Sequence, residues 1–461
     1  MASFSFTRLT RSVEIGANSY VLDLGGRRLV LDCGMHPKFD GAEALPQLEL
    51  LADDSVDAIV VTHAHQDHIG ALPVLQRRQR RARVFLTEAT RQLGEIMLHN
   101  SVNVMQRLRE EGVPDAQLFG HREVDQAVKR WQVAPLETRF DLDGERLGPQ
   151  GESAVAIEFF DAGHILGSVG VRITTDGRTI FYTGDVQFED QTVSRAATFP
   201  TDPVDVLISE CTRGDRAKDP AWSRAGEEQR LADAIRDIFK RGGGVLIPTF
   251  ALGKTQELLA MMLRFRREGH LPAGFPIYIG GLGTKLTEVH DRLAGQTRRN
   301  LPNLRLLDEV APFVLSGQSV ADAPMRAGRV YALSSGMMSE HTVSNIFARR
   351  VLSDSNHALF FIGYADPDSP AGVIQRTPAG GLVQLEEGQT PLPLNCELRK
   401  FDFSGHAPRE DLRAFAAKVQ PKKILLVHGS PAAGAWFCDA LASDVPGCVA
   451  ISPEPGVQVE V

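Results

Sequence analysis

Apolar and polar positions along the chain divide it into three stretches with different rhythms. Residues 3–32 read as strands, and Val21-Leu22-Asp23-Leu24 and Leu29-Val30-Leu31-Asp32 flank Gly25-Gly26, a hairpin signal. Residues 42–52 predict a helix, and the apolar run Ala58-Ile59-Val60-Val61 predicts a buried strand. The run Ile69 to Leu75, with Gly70 and Pro73 at its start, predicts the next helix. Helical patterns follow at 88–112 and 122–131, then strands at 133–140, 155–160, 180–182 and 204–209. The rhythm then changes to helix 222–241, strand 244–248, helix 253–268, strand 276–280 and helix 283–294. Such alternation predicts a parallel α/β layer, which runs to about residue 390. Beyond it strands return at 391–399, at 424–427 and twice near the end, with a helix opened by Pro408.

Chemistry gathers where the strand 58–61 gives way to a helix, in Thr62-His63-Ala64-His65-Gln66-Asp67-His68. His63 and His65 alternate and can face the same way, while Asp67 and His68 turn toward a neighbouring point. Three imidazoles and a carboxylate suit zinc at about 2.0–2.2 Å, and two separated pairs point to two metals. A loop that only caps a helix would not need three His and one Asp in six residues. Further candidates stand at strand ends: His164 after Phe159-Phe160-Asp161, Asp185 after Ile180 to Gly184, Glu210 after the strand 204–209, and His428 after Leu425-Leu426-Val427. His406 lies in Phe403-Ser404-Gly405-His406-Ala407.

Size and composition narrow the class. A chain of 461 residues is long enough for two or more domains with full cores. No apolar run approaches the ~20 residues of a membrane span, and the N-terminus lacks a secretory apolar region, so a cytoplasmic protein with no membrane partner is expected. Five cysteines without a CxxC pair argue for reduced thiols, not a disulfide framework or thiolate zinc site. Net charge is −8, which is not the footprint of a protein that coats nucleic acid, although bound zinc would add positive charge at one place. The middle segment 209–390 is close to neutral while the rest carries the acidity, which fits a lid over an anionic chain. Arg dominates the basic residues, and the run QRRQRRAR at 76–83 reads as a solvated helix end before it reads as a phosphate patch.

The pattern HxHxDH resembles the signature of the metallo-β-lactamase superfamily. That resemblance implies an α/β fold, an αββα sandwich with metals at one edge. His428 stands 243 residues after Asp185, an interval that only a large insertion explains. With the run Ile247-Pro248-Thr249-Phe250-Ala251-Leu252-Gly253-Lys254 and with Ser334-Ser335-Gly336-Met337, this identifies the chain as a member of the β-CASP nucleases. The family includes the nuclease of mRNA cleavage and polyadenylation and its bacterial and archaeal relatives. It implies a first metallo-β-lactamase part at 1–208, a parallel α/β β-CASP insertion at 209–390 and a returning part at 391–461. One metal would take His63, His65, His164 and Asp185, and the other Asp67, His68, Asp185 and His428. The cofactor implied is two zinc ions, with manganese as the alternative.

Glu210, His406 and His428 match the motifs usually called A, B and C. By the same resemblance Asp32 braces the histidine loop and Asp67 serves both metal and catalysis. His406 would be the general acid, oriented by Glu210, with hydroxide generated between the metals as nucleophile. A histidine at the third motif favours RNA, single-stranded, as partner. Lys254, Ser334 and Ser335 are the expected phosphate contacts. Lys254 stands where the family has Arg, Arg213 where it has Tyr, and Gly363 to Gly372 matches a Gly-rich loop only at its ends. The expectation is a zinc-dependent ribonuclease, with endonuclease and exonuclease modes and a homodimer left open. A DNA exonuclease of the same fold and a small ester or thioester hydrolase are the rivals. A non-catalytic subunit is disfavoured because every ligand position is filled. Only 33 residues follow His428, so no further C-terminal module is expected.

Overall fold

The computed structural model describes residues 4–148 and 151–461 of the chain. Ser3, where the first predicted strand stretch begins, lies outside the described residues. The chain forms two compact units, the first built from 1–189, 196–218 and 406–461 and the second from 190–195 and 219–405.

The first unit is a sandwich of two sheets, each seven-stranded among the described residues. One runs in the order Gln458–Glu460, Phe4–Arg8, Tyr20–Leu24, Arg28–Leu31, Ala58–Val60, Arg83–Leu86, Trp131–Val133. The other runs Val449–Ile451, Lys423–Val427, Val206–Glu210, Arg178–Tyr182, Val169–Thr175, Ala156–Asp161, Phe140–Asp141. Alternate residues of both sheets, among them Phe6, Leu22, Leu31 and Val60 against Ile157, Val171, Ile180 and Ile208, meet in one apolar core. The other faces are covered by helices. Leu72–Arg78, Glu88–Glu110 and His121–Val128 bury Leu75, Leu98 and Val124 against the first sheet. Arg409–Val419 and Pro431–Asp444 bury Phe415 and Phe437 against the second. These four layers form the αββα arrangement.

In the second unit six strands pair in parallel, in the order Phe313–Leu315, Ile277–Gly280, Val330–Leu333, Val245–Pro248, Ala358–Phe361, Glu397–Lys400. The central strands Val330–Leu333, Val245–Pro248 and Ala358–Phe361 are buried throughout, as a parallel sheet with helices on each side requires. Val245 and Ile247 pack with the helices Arg224–Lys240 and Lys254–Arg267, whereas Leu246 packs with Val343–Ala348 and Pro370–Arg376. A buried carboxylate and Asn300 both fasten residues 190–195 to this unit. Buried Glu257 accepts from the backbone N–H of Thr192, Val193 and Ser194 at 2.6, 3.1 and 2.9 Å.

Three details differ from the expected elements. The stretch 42–52 forms two short 3-10 turns, Gly41–Ala44 and Leu48–Leu50, because Pro46 between them lacks the N–H a continuous helix needs. Residues 134–139 lie outside the named strands, with Trp131–Val133 and Phe140–Asp141 in different sheets. The sequence reading closes the inserted segment at 390, but Glu397–Lys400 pairs with Ala358–Phe361 in the second unit's sheet. Its residues, intermediate or exposed, carry no apolar signature of which sheet they join.

Candidate metal centre

All the site histidines lie in the first unit, at the ends of strands that deliver side chains to one point. The chain leaves Ala58–Val60 through His63 and His65 and turns into the short helix Gln66–Ile69, which carries Asp67 and His68. Asp185 follows Arg178–Tyr182 through Gly184, whose φ is +53°. A Cβ at Gly184 would sit 2.9 Å from the Val169 carbonyl oxygen and 3.0 Å from Thr62 Cβ, so only glycine fits. His428 ends Lys423–Val427 with φ +50°, and Asp32 follows Arg28–Leu31 with φ +59°. Left-handed backbone at two non-glycine positions costs about 1–2 kcal/mol each and is held here by the interactions of the site.

The donors fall into overlapping groups that can hold a metal: His63, His65, His164 and Asp185; Asp67, His68 and His428; and Asp185, His406 and His428. His65 Nδ1 lies 3.1 Å from His63 Nε2 and 3.1 Å from His164 Nε2. Imidazole nitrogens on a tetrahedral zinc at ~2.0–2.1 Å stand roughly 3.3 Å apart, so the three rings are spaced as ligands of one ion. Asp185 is buried, and its Oδ1 has no hydrogen bond. His68 Nε2 at 3.4 Å and His428 Nδ1 at 3.6 Å face that oxygen. A buried carboxylate oxygen without a hydrogen bond in a ring of imidazoles fits a cation site.

Asp32 is fully buried and holds the loop from below. Its carboxylate accepts from Thr62 N at 2.7 Å, from Thr62 Oγ1 at 3.0 and 2.8 Å and from Tyr182 Oη at 2.8 Å. His68 Nδ1 lies 2.8 Å from Asp32 Oδ2, so this nitrogen carries the proton and Nε2 faces the donors. The Thr62 hydroxyl, donating to Asp32, accepts at 3.1 Å from His63 Nδ1 and leaves His63 Nε2 bare. Glu210, also fully buried, accepts from Val186 N at 2.7 Å, and His406 Nδ1 lies 3.2 and 3.1 Å from its two oxygens.

Charge tells the same story. Burial pushes His63 well below the ordinary imidazole value, with His68 adding to the effect, and pushes His65 down to about 4. Both are neutral ligands near pH 7. Burial would raise Asp67 and Asp185, but His68 and His428 for the first, and His428, His68 and His406 for the second, hold both below the usual carboxylate range. His68 moves the other way: burial disfavours its charge, but Asp185, Asp32 and Asp67 outweigh it and hold it well above the ordinary value. A proton on His68 thus balances part of a negative charge that a divalent cation would balance better.

Asn18, Tyr20, Tyr182 and Thr212 reach the site with no role foreseen from sequence. Asn18 Nδ2 lies 3.1 Å from His68 Nε2 and 3.4 Å from Asp67 Oδ2, and its oxygen accepts from Tyr20 Oη at 2.9 Å. Uncharged side chains at strand edges carry no spacing signal that marks them. Lys254, Ser334 and Ser335 belong to the second unit. There Lys254 opens the helix Lys254–Arg267, donates to the Phe403 carbonyl and borders a small pocket with Thr249, Gly336 and Tyr364. The hydroxyl of Ser335 accepts from Ser339 N at 3.2 Å. In the arginine run, Arg78 donates to the carbonyls of Leu48 and Leu51 and pairs with Asp53 at 2.9 Å, while Arg77 pairs with Glu123.

Residues 13–87 match the metallo-beta-lactamase superfamily, 255–374 the Beta-Casp domain, and 391–447 the Zn-dependent metallo-hydrolase RNA specificity domain. The three follow one another in one chain whose first unit carries the histidine cluster. The chain belongs to the β-CASP family. Its β-CASP relatives include cleavage and polyadenylation specificity factor 73 of Drosophila melanogaster, 28% identical over 424 residues, covering 90% of this chain and 58% of the relative. Cleavage and polyadenylation specificity factor subunit 3-I of Arabidopsis thaliana is 28% identical, covering 92% and 58%. Endoribonuclease YSH1 of Saccharomyces cerevisiae is 26% identical, covering 93% and 54%. The chain thus spans little more than half the length of these relatives. A crystal structure of a protein of unknown function from Enterococcus faecalis V583 shares the β-CASP chain's fold, with a TM-score of 0.54 at 12% identity over 99% of this chain and 100% of that one. No helix among the described residues is long and apolar enough to cross a membrane.

Proposed function

We propose that the protein is a zinc-dependent ribonuclease that hydrolyses phosphodiester bonds of single-stranded RNA. The observation that carries this reading is Asp185, a buried carboxylate common to two donor groups, with the His406–Glu210 pair beside it. In this reading His63, His65, His164 and Asp185 hold one ion, and Asp67, His68, Asp185 and His428 hold a second. Bound there, the ions supply Lewis-acid activation of water and neutralise charge on the phosphoryl oxygens.

The chain's own residues do the rest. His406 Nδ1 faces the Glu210 carboxylate, so Nε2 is the end that delivers a proton to the departing ribose oxygen. Glu210 orients that ring and stabilises its charged form. Asp32 fixes the tautomer and angle of His68 and ties down Thr62 beside His63. Lys254, Ser334 and Ser335 are the proposed phosphate contacts. Substrate choice is supported by the match to an RNA specificity domain and by relatives named as endoribonucleases.

The test is digestion of end-labelled RNA by the purified protein, beside the same sequence as single-stranded DNA and a thioester. The expected result is RNA cleavage that stops on chelation and returns with zinc or manganese. His406→Ala is expected to keep its metal and lose about 10²–10⁴-fold in turnover. Absence of RNA cleavage with a full complement of metal would overturn the reading.

A further inference from the structure

We propose that Thr212 is a positioning residue that sets the tautomer of His428 and so decides which of its nitrogens is left to bind metal. The inference rests on the metal reading above and adds a residue to it.

Thr212 Oγ1 lies 2.7 Å from His428 Nδ1 and 3.0 Å from the His428 carbonyl oxygen. A hydroxyl has one proton to give. The carbonyl can only accept, so the hydroxyl donates there, and its lone pair accepts the proton on Nδ1. With a cation held by the donor group Asp67, His68 and His428, that leaves Nε2 as the bare nitrogen that binds it; without one, Nε2 donates to Asp67 Oδ2 at 3.2 Å. The other acceptor facing Nδ1, Asp185 Oδ1 at 3.6 Å, is beyond hydrogen-bond distance. The clasp is supported on both sides. Cys211 N donates to the Val427 carbonyl at 2.9 Å, which fixes the register between the two segments. A Cβ on Gly429 would lie 2.5 Å from Cys211 Sγ, so the chain after His428 passes too close for any other residue.

The same strand end therefore orients two histidines. Glu210 holds His406 through Nδ1, and two residues later Thr212 holds His428 through Nδ1. Glu210 is the last residue of the strand Val206–Glu210 and Thr212 lies in the turn that follows, so one chain segment supplies both. Asp32 does the equivalent for His68 from the opposite sheet.

The experiment compares wild type, Thr212→Val, Thr212→Ser and Asp67→Ala by zinc titration against a chromophoric chelator. Thr212→Val keeps the shape and removes the hydroxyl. It is expected to weaken the second zinc by about 10–100-fold, the usual effect of losing an outer hydrogen bond to a metal-bound histidine, while the first zinc binds as in wild type. Thr212→Ser is expected to restore the second site. A merely structural role would weaken both ions together or would not be rescued by Ser. Selective ¹⁵N-histidine spectra of the zinc-loaded wild type, with the His428 signal assigned from His428→Asn, are expected to show the proton on Nδ1. A proton on Nε2, or a Thr212→Val variant with wild-type affinity for both ions, would overturn the inference. Wild type and Asp67→Ala with equal zinc content would instead overturn the metal reading itself.

Discussion

Glu210→Gln is the sharpest probe of how the site handles its proton. The carboxylate is fully buried and has two duties: Oε1 accepts from Val186 N at 2.7 Å, and both oxygens face His406 Nδ1. A glutamine fits the same space. Its carbonyl can keep the Val186 N–H, and its NH₂ must then face Nδ1, which forces the imidazole proton onto Nε2 and removes the charge that steadies the imidazolium. A hydrogen bond to a charged partner contributes about 1.5–3 kcal/mol. Losing it in the transition state corresponds to about 10–150-fold in rate. Backbone and metal donors are untouched, so zinc content should equal wild type. Single-turnover cleavage of labelled RNA across a range of pH, with elemental analysis of the same preparation, makes the comparison. Turnover within twofold of wild type, or a loss of zinc that explains the rate, would refute the reasoning.

Other outcomes follow from the same geometry. Asp67→Ala should lose bound zinc by elemental analysis, because Asp67 joins His68 and His428 in one donor group. Arg78→Ala should lower the unfolding free energy by about 1–3 kcal/mol in urea, since two buried-side carbonyl partners are lost. The exposed Arg81→Ala should stay within about 0.5 kcal/mol, and an equally small effect of Arg78→Ala would count against its anchoring role. His290 is pushed down to about 4 by burial, against the Leu286 carbonyl it donates to and with Arg299 adding. The unfolded chain takes that proton near 6.5 and the folded one resists it, so this stability is complete above about pH 6.5 and lost toward pH 4, roughly 3 kcal/mol in all. His290→Leu should flatten that part of the stability–pH curve, and an unchanged slope would count against it.

How much could be read from sequence depends on how local each feature is. His63, His65, Asp67 and His68 sit within six residues, so their convergence is visible without a fold. His164, Asp185 and His428 each stand alone at a strand end, and only the resemblance tied them to the cluster. Thr212 and Asn18 are common uncharged residues whose partners lie 216 and 50 positions away, so nothing in their own neighbourhood marks them. The alternating helices and strands of 222–294 were legible because a parallel sheet covered on both faces makes its strands uniformly apolar. The edge strand Glu397–Lys400 was legible as a strand but not as part of that sheet, since its side chains are intermediate or exposed.

The carboxylate of Glu257 bears on modularity. Its three amide partners arrive from a six-residue piece that lies 63 to 65 positions upstream. Anyone excising 219–405 as a transplantable cassette would strip three amide donors from that buried carboxylate and leave it to Arg224, 3.5 Å away. A graft should carry 190–195 along, joined by a linker or supplied as a separate peptide, or replace Glu257 with a neutral side chain.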